Sequence, residues 1–145
     1  ESSSSRGLGD VYKRQVHTNS RSIAADDFFT GMFETALEED EIIESISFSK
    51  PTKANYVKFP NPASRYAMVG VFVAQFGEGV RVAVTGAGEG GVFRHEEMES
   101  ALSSNYSADA LGSLDIASDG LISDLHASAE YRANLIKEMT KRAVV

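Results

Sequence analysis

Two stretches of the 145-residue chain carry residue types at spacings that chemistry uses. Gly86-Ala-Gly-Glu-Gly-Gly91 satisfies G-x-G-x-x-G after an apolar, β-rich segment, the arrangement in which backbone N–H groups cradle a pyrophosphate. Its context argues against that use. Glu89 would face the phosphates, and the next helical pattern starts several residues later, so no helix N-terminus abuts the loop. No second parallel strand with a ribose-binding acid follows either. A flexible sheet-to-helix loop is the plainer reading. Asp115 to His126 shadows a calcium loop, with Asp115, Asp119, Gly120 and Ile122 in register. Ala117 stands at the third ligand position and His126 where the bidentate acid belongs, so helix caps and turns explain the aspartates better. The three histidines, His17, His95 and His126, form no constellation, and without a nucleophile–base pair in sequence there is no case for hydrolase chemistry.

The elements that would position such residues follow from periodicity. Ala24 to Leu37 suggests a short helical turn or two, weakened by Gly31, and Ile42 to Phe48 is β-like until Pro51. Asn55-Tyr-Val-Lys-Phe59 alternates as a second strand, closed by Pro60 and Pro62. Tyr66 to Phe76 is the strongest strand, joined through Gly77-Glu-Gly79 to Val80–Thr85 as an antiparallel hairpin. Val80, Val82 and Val84 share one face of that last strand by its period of two.

Helical patterns take over afterwards. His95 to Leu102 reads as one helix and Ala108 to Leu114 as a shorter one. His126 to Val144 is the clearest, with Tyr131, Leu135, Met139 and Ala143 at i+4 steps and Ile136 widening the stripe. Strands first and helices afterwards predict an α+β fold, a small antiparallel sheet of three to four strands packed on one face by C-terminal helices.

Composition bounds the function. A hydrophobic fraction of 42% and a charged fraction of 24% suit a globular domain with its own core. Zero cysteines exclude disulfides, thiolate catalysis and iron–sulfur ligation by this chain. A net charge of −7 without clustered Lys and Arg argues against nucleic acid, and the longest uncharged apolar run, Ala67 to Ala74, is too short to cross a bilayer. With no apolar signal core near its start, the chain is expected in the cytoplasm. Residues 1–15 read differently from the rest. Ser5-Arg-Gly-Leu-Gly-Asp-Val-Tyr-Lys-Arg-Gln15 looks like a translated sequencing adapter, preceded by an unpatterned serine run. They are expected to be a non-native tail and are set apart from the domain spanning 16–145.

Several stretches, in order, resemble the C-terminal domain of the medium, FAD-binding subunit of aerobic carbon monoxide dehydrogenase and related xanthine-dehydrogenase-type molybdenum hydroxylases. They are Arg21-Ser-Ile-Ala-Ala-Asp-Asp-Phe-Phe-Thr-Gly31, Asp40-Glu-Ile-Ile-Glu-Ser-Ile46, Tyr56-Val-Lys-Phe59 and Ala63-Ser-Arg-Tyr-Ala67. Val80-Arg-Val-Ala-Val-Thr-Gly86, Val92-Phe-Arg94, Asp124-Leu-His-Ala-Ser-Ala-Glu-Tyr-Arg132 and Lys141-Arg-Ala-Val144 continue the series. No single motif is specific; their order carries the resemblance.

That resemblance implies an electron relay within a multi-subunit oxidoreductase. Substrate is oxidised at a molybdenum cofactor on a large subunit, two [2Fe–2S] clusters on a small subunit pass electrons to FAD, and FAD hands them to an acceptor such as a quinone. It further implies a dimer of heterotrimers, in the cytoplasm or peripheral at the inner membrane face. The family's Gly-rich FAD loops of the Gly-Gly-His-Ser and Thr-Ile-Gly-Gly types do not occur here, so the chain alone is expected to bind FAD weakly and to be inactive. By the same resemblance three residues would flank the isoalloxazine: Ile43 as an apolar neighbour, Lys58 as a cation that raises the flavin's potential, and Tyr66 as an aromatic beside the ring. The alternatives are a non-catalytic α+β docking module, or the same subunit of an enzyme oxidising a purine, an N-heterocycle, an aldehyde or an acyl-CoA.

Overall fold

The computed structural model describes residues 14–31 and 33–144. The expected adapter-like tail therefore lies outside the described residues, save for Arg14 and Gln15. Packing divides the chain into two compact units, one up to Lys50 and one from Pro51.

The first unit is a three-stranded antiparallel sheet in the order β2-β1-β5, with β1 at Gln15–Thr18, β2 at Ser22–Ala24 and β5 at Ile43–Ser47. A one-turn helix, α1 (Ala25–Phe28), and a small hairpin of β3 (Phe29–Gly31) and β4 (Glu34–Thr35) connect β2 to β5. The core is small: Val16, Ile23 and Phe28, with Ala36 and Leu37 packed against them. Polar bonds do much of the holding. Arg21 meets Glu41 through two N–H groups, at 2.7 and 2.9 Å, and Glu41 also accepts from Ser20, Thr18 and the Glu38 amide. These bonds, with the Arg21 guanidinium foremost, hold the Glu41 carboxyl well below the usual carboxylate range.

The second unit is the α+β body that the sequence predicts. Its sheet runs β6-β7-β8-β9, all antiparallel, with β6 at Lys53–Pro60, β7 at Ala67–Phe76, β8 at Gly79–Gly88 and β9 at Gly91–Arg94. Two helices, α2 (Glu96–Ser104) and α3 (Ala129–Ala143), follow, with a 3-10 turn at Ala108–Leu111 between them. The alternating valines decide which face is covered. Val69, Val71 and Val73 of β7 and Val80, Val82 and Val84 of β8 are all buried, in one cluster with Met98 and Leu102 of α2 and Leu135, Ile136 and Met139 of α3. Each such side chain removed from water contributes roughly 1.5–3 kcal/mol, which is why the sheet and helices stand or fall together.

Both long helices begin at caps. The Ser128 hydroxyl accepts from the Tyr131 amide, and His95 Nδ1 accepts from the Met98 amide at 3.4 Å. In α3 Glu130 lies in the first turn and Lys141 and Arg142 in the last, complementing the helix dipole. The buried stripe is rotated from the one the sequence suggests. Tyr131 is 45% exposed, while Arg132 and Thr140 lie inside with Leu135, Ile136, Met139 and Ala143.

One expectation is corrected. Gly86 to Gly91 is not a flexible sheet-to-helix loop, because β8 continues through Gly88 and turns back as β9. A four-residue strand flanked by glycines gives too little alternation to read in advance. Among the described residues, no helix is long and apolar enough to cross a membrane. Ile136 is fully buried between sheet and helices, so Ile136→Ala should cost about 2–5 kcal/mol. Urea unfolding with an unchanged denaturant slope checks this; a loss under about 1 kcal/mol would contradict the packing.

Candidate functional site

The residues singled out in the sequence divide between the two units. Ile43 opens the edge strand β5 of the first unit, opposite Thr18, and is 41% exposed. The Asn19–Ile42 bonds fix its approach: the Asn19 amide donates to the Ile42 carbonyl, and the Ile42 amide to Asn19 Oδ1.

Lys58 and Tyr66 come together at one end of the second unit's sheet. Strand alternation turns Val57 and Phe59 toward the core and leaves Tyr56 and Lys58 on the open face. The Lys58 ammonium then reaches across the β6–β7 connection and donates to the Arg65 carbonyl at 3.1 Å. Tyr66 follows directly, its side chain 80% exposed. The connection from Asn61 to Tyr66 closes by two backbone bonds, from the Asn61 amide to the Tyr66 carbonyl and from the Arg65 amide to the Asn61 carbonyl. Arg65 sits at φ 64°, a left-handed conformation that costs a residue with a side chain roughly 1–2 kcal/mol. A strand cation thus bonds the backbone of the same constrained turn that carries an exposed aromatic ring.

Tyr66 lines a cleft of about 240 Å³. Asn61, Ser64, Asp124, His126 and Arg132 line it with Tyr66. Arg132, only 4% exposed, is the residue that sequence reasoning missed. It donates through Nη1 to the carbonyls of Met68 (2.7 Å) and Gly86 (3.2 Å), and through Nη2 to both Asp124 oxygens (3.0 and 2.9 Å). Asp124 Oδ1 also accepts the amides of His126 and Ala127. Those two backbone bonds first, and the guanidinium after them, hold its carboxyl below its ordinary value. An ionisable residue one turn from Leu135 and Ile136, on a largely apolar stripe, was the available signal.

The two motifs weighed at the outset meet each other. Gly88 of β8 bridges to Leu121, the Glu89 amide donates to the Gly120 carbonyl, and the Ile122 amide donates to the Ala87 carbonyl. The Gly-rich segment and the calcium-like segment therefore satisfy each other's backbone, and both line a second cleft of about 530 Å³. Among the described residues no group of three or more His, Asp or Glu could hold a metal ion.

A carboxyl whose pKa is lowered by folding stabilises the protein above its unfolded value and loses that contribution as pH falls through the folded one. Asp124, with an ordinary value of 3.8, therefore stabilises the second unit at neutral pH. The stability difference between the parent chain and Asp124→Asn should hold steady at neutral pH and shrink once pH drops below 3.8. Urea midpoints across that range check the sign; a difference that grows with acidification would contradict it.

No family model matches the chain. It is similar to the nicotine 6-hydroxylase medium subunit of Paenarthrobacter nicotinovorans, 35% identical over 148 residues that cover 95% of this chain and 52% of that protein. The chain spans about half the length of the relative it matches. It is thus a homologue of part of a hydroxylase medium subunit.

Proposed function

We propose that this chain forms one wall of the flavin site in the FAD-binding medium subunit of a molybdenum hydroxylase. The observation that carries the reading is the placement of Lys58, bonded to the Arg65 carbonyl, and of the exposed Tyr66 next to Arg65 in sequence at one sheet end, in a homologue of a hydroxylase medium subunit. The residues fit part of the cofactor. A flat, exposed tyrosine ring at the sheet end where an ammonium bonds the turn suits the isoalloxazine, an aromatic system that gains negative charge on reduction. They do not fit its phosphates, because the glycine segment Gly88–Gly91 is folded into a hairpin and paired to Gly120 and Leu121. Phosphate binding would fall to sequence outside this chain.

FAD held there would carry electrons from [2Fe–2S] clusters on a small subunit, reduced by a molybdenum-bearing large subunit, to an acceptor such as a quinone. The chain's own residues do simpler work. Lys58 holds positive charge beside the ring and raises its affinity for electrons, Tyr66 packs on the ring, and Ile43 supplies an apolar contact. Substrate is selected on the large subunit. The relative's name supports the N-heterocycle branch of this reading over aerobic carbon monoxide dehydrogenase, since nicotine is an N-heterocycle.

A docking module without a cofactor role is the rival, favoured by the exposed Ile42, Ile46 and Phe48 of the first unit. Flavin titration separates the two. The chain alone is expected to bind FAD weakly, and a fusion to a family N-terminal FAD region to bind it tightly. In the fusion Lys58→Ala should lower the flavin potential and Tyr66→Phe should change its absorption spectrum. Flavin properties indifferent to both substitutions would favour docking alone.

A further inference from the structure

An arginine buried on the apolar stripe of α3 displaces a hydrophobic residue that would fill the same space without desolvating a charge. Its position is therefore explained by what it binds. Pairing between β7 and β8 runs from Phe76↔Gly79 to Gly70↔Thr85. Met68 and Gly86 lie just past the end of that ladder, and their carbonyls are the two that Arg132 Nη1 takes up. The guanidinium thus continues the strand pairing for one more step, by side-chain donors in place of a backbone neighbour.

The same joint is tight on its other side. Gly86 has φ +76°, and a Cβ there would collide with the Ala67 carbonyl oxygen. Arg132 Nη2 is meanwhile fixed by both oxygens of Asp124, leaving the buried Nε as the donor without a partner. Tyr66 stands one residue before β7, at the edge of the cleft that Arg132 also lines. Its turn is held together by two backbone bonds and by the Asn61 and Ser64 side chains, with Arg65 in a left-handed conformation, so where the ring stands depends on how the turn joins β7.

We propose that Arg132, held by Asp124, is the positioning residue for the Tyr66 turn: it locks the ends of β7 and β8 where the turn leaves the sheet, and so sets where the ring stands. Its consequence for a cofactor rests on the flavin-wall reading above. Lysine cannot replace it, because a single ammonium cannot span two carbonyls and a bidentate carboxylate together.

Arg132→Lys in this chain should raise hydrogen exchange at the Asn61 and Arg65 amides at least tenfold, while Val73 and Val84 in the sheet keep their protection. Asp124→Asn should do the same to a smaller degree, and serves if the lysine variant folds poorly. Unchanged exchange at the turn in both variants, or equal loss throughout the sheet in both, would overturn the proposal. In the flavin-loaded fusion, Arg132→Lys should shift the flavin spectrum, and adding Tyr66→Phe should change nothing further; shifts that simply add would also overturn it. A spectrum unmoved by Tyr66→Phe alone would sink the flavin-wall reading instead, and the exchange result would still decide the role of Arg132.

Discussion

Burial of the valine face of β7 and β8 against α2 and α3 is the interaction from which the second unit follows. Six valines at 0 or 1% exposure sit on two adjacent strands whose period of two sends every second side chain inward. The opposite face must then carry what is left over, and Tyr56 and Lys58 are placed there by alternation alone. A one-residue slip of β6 against β7 would carry Lys58 inward and Val57 out, so the hydrophobic pattern that builds the core also fixes where the cation is offered.

Ionic side chains complete the frame where the backbone ladder stops. Glu99 of α2, 5% exposed, accepts the Val82 amide at 3.0 Å where β9 has already turned into the helix, and it binds Arg94 through both oxygens. Arg132 serves the carbonyl side of the same problem at the other end of β8. Glu41 does comparable work in the first unit, where three buried apolar residues among the described ones leave polar bonds with a larger share of the task. Removing one partner of such a pair strands the other, and for that reason these residues are costlier to change than surface ion pairs.

Much of this was readable in advance, and the gaps have physical causes. Strand alternation revealed β6 and β8, and with them the opposite placement of Lys58 and Val57, while a continuous apolar run revealed β7. The i+4 pattern revealed α3, but centred it on Tyr131, because an arginine is not counted as a stripe residue until its partners are known. Those partners, the Met68 and Gly86 carbonyls, lie 64 and 46 residues away in sequence. The Gly-rich and aspartate-rich segments were set aside as nucleotide or calcium motifs on local grounds, yet their mutual pairing is a long-range contact that no local pattern encodes. The family resemblance implied that Lys58 and Tyr66 each flank the flavin; the bond from Lys58 to the Arg65 carbonyl, which ties the strand to the turn carrying Tyr66, is a contact that no local pattern showed.

The most direct measurement is a crystal structure of the chain fused to a family N-terminal FAD region, with FAD bound. If the chain walls the flavin, the Tyr66 ring will lie in contact with the isoalloxazine and the Lys58 ammonium within hydrogen-bond or close ionic reach of it. A flavin seated elsewhere, with the β6–β7 turn left in solvent, would contradict the flavin-wall reading and leave the sheet end as a surface for docking.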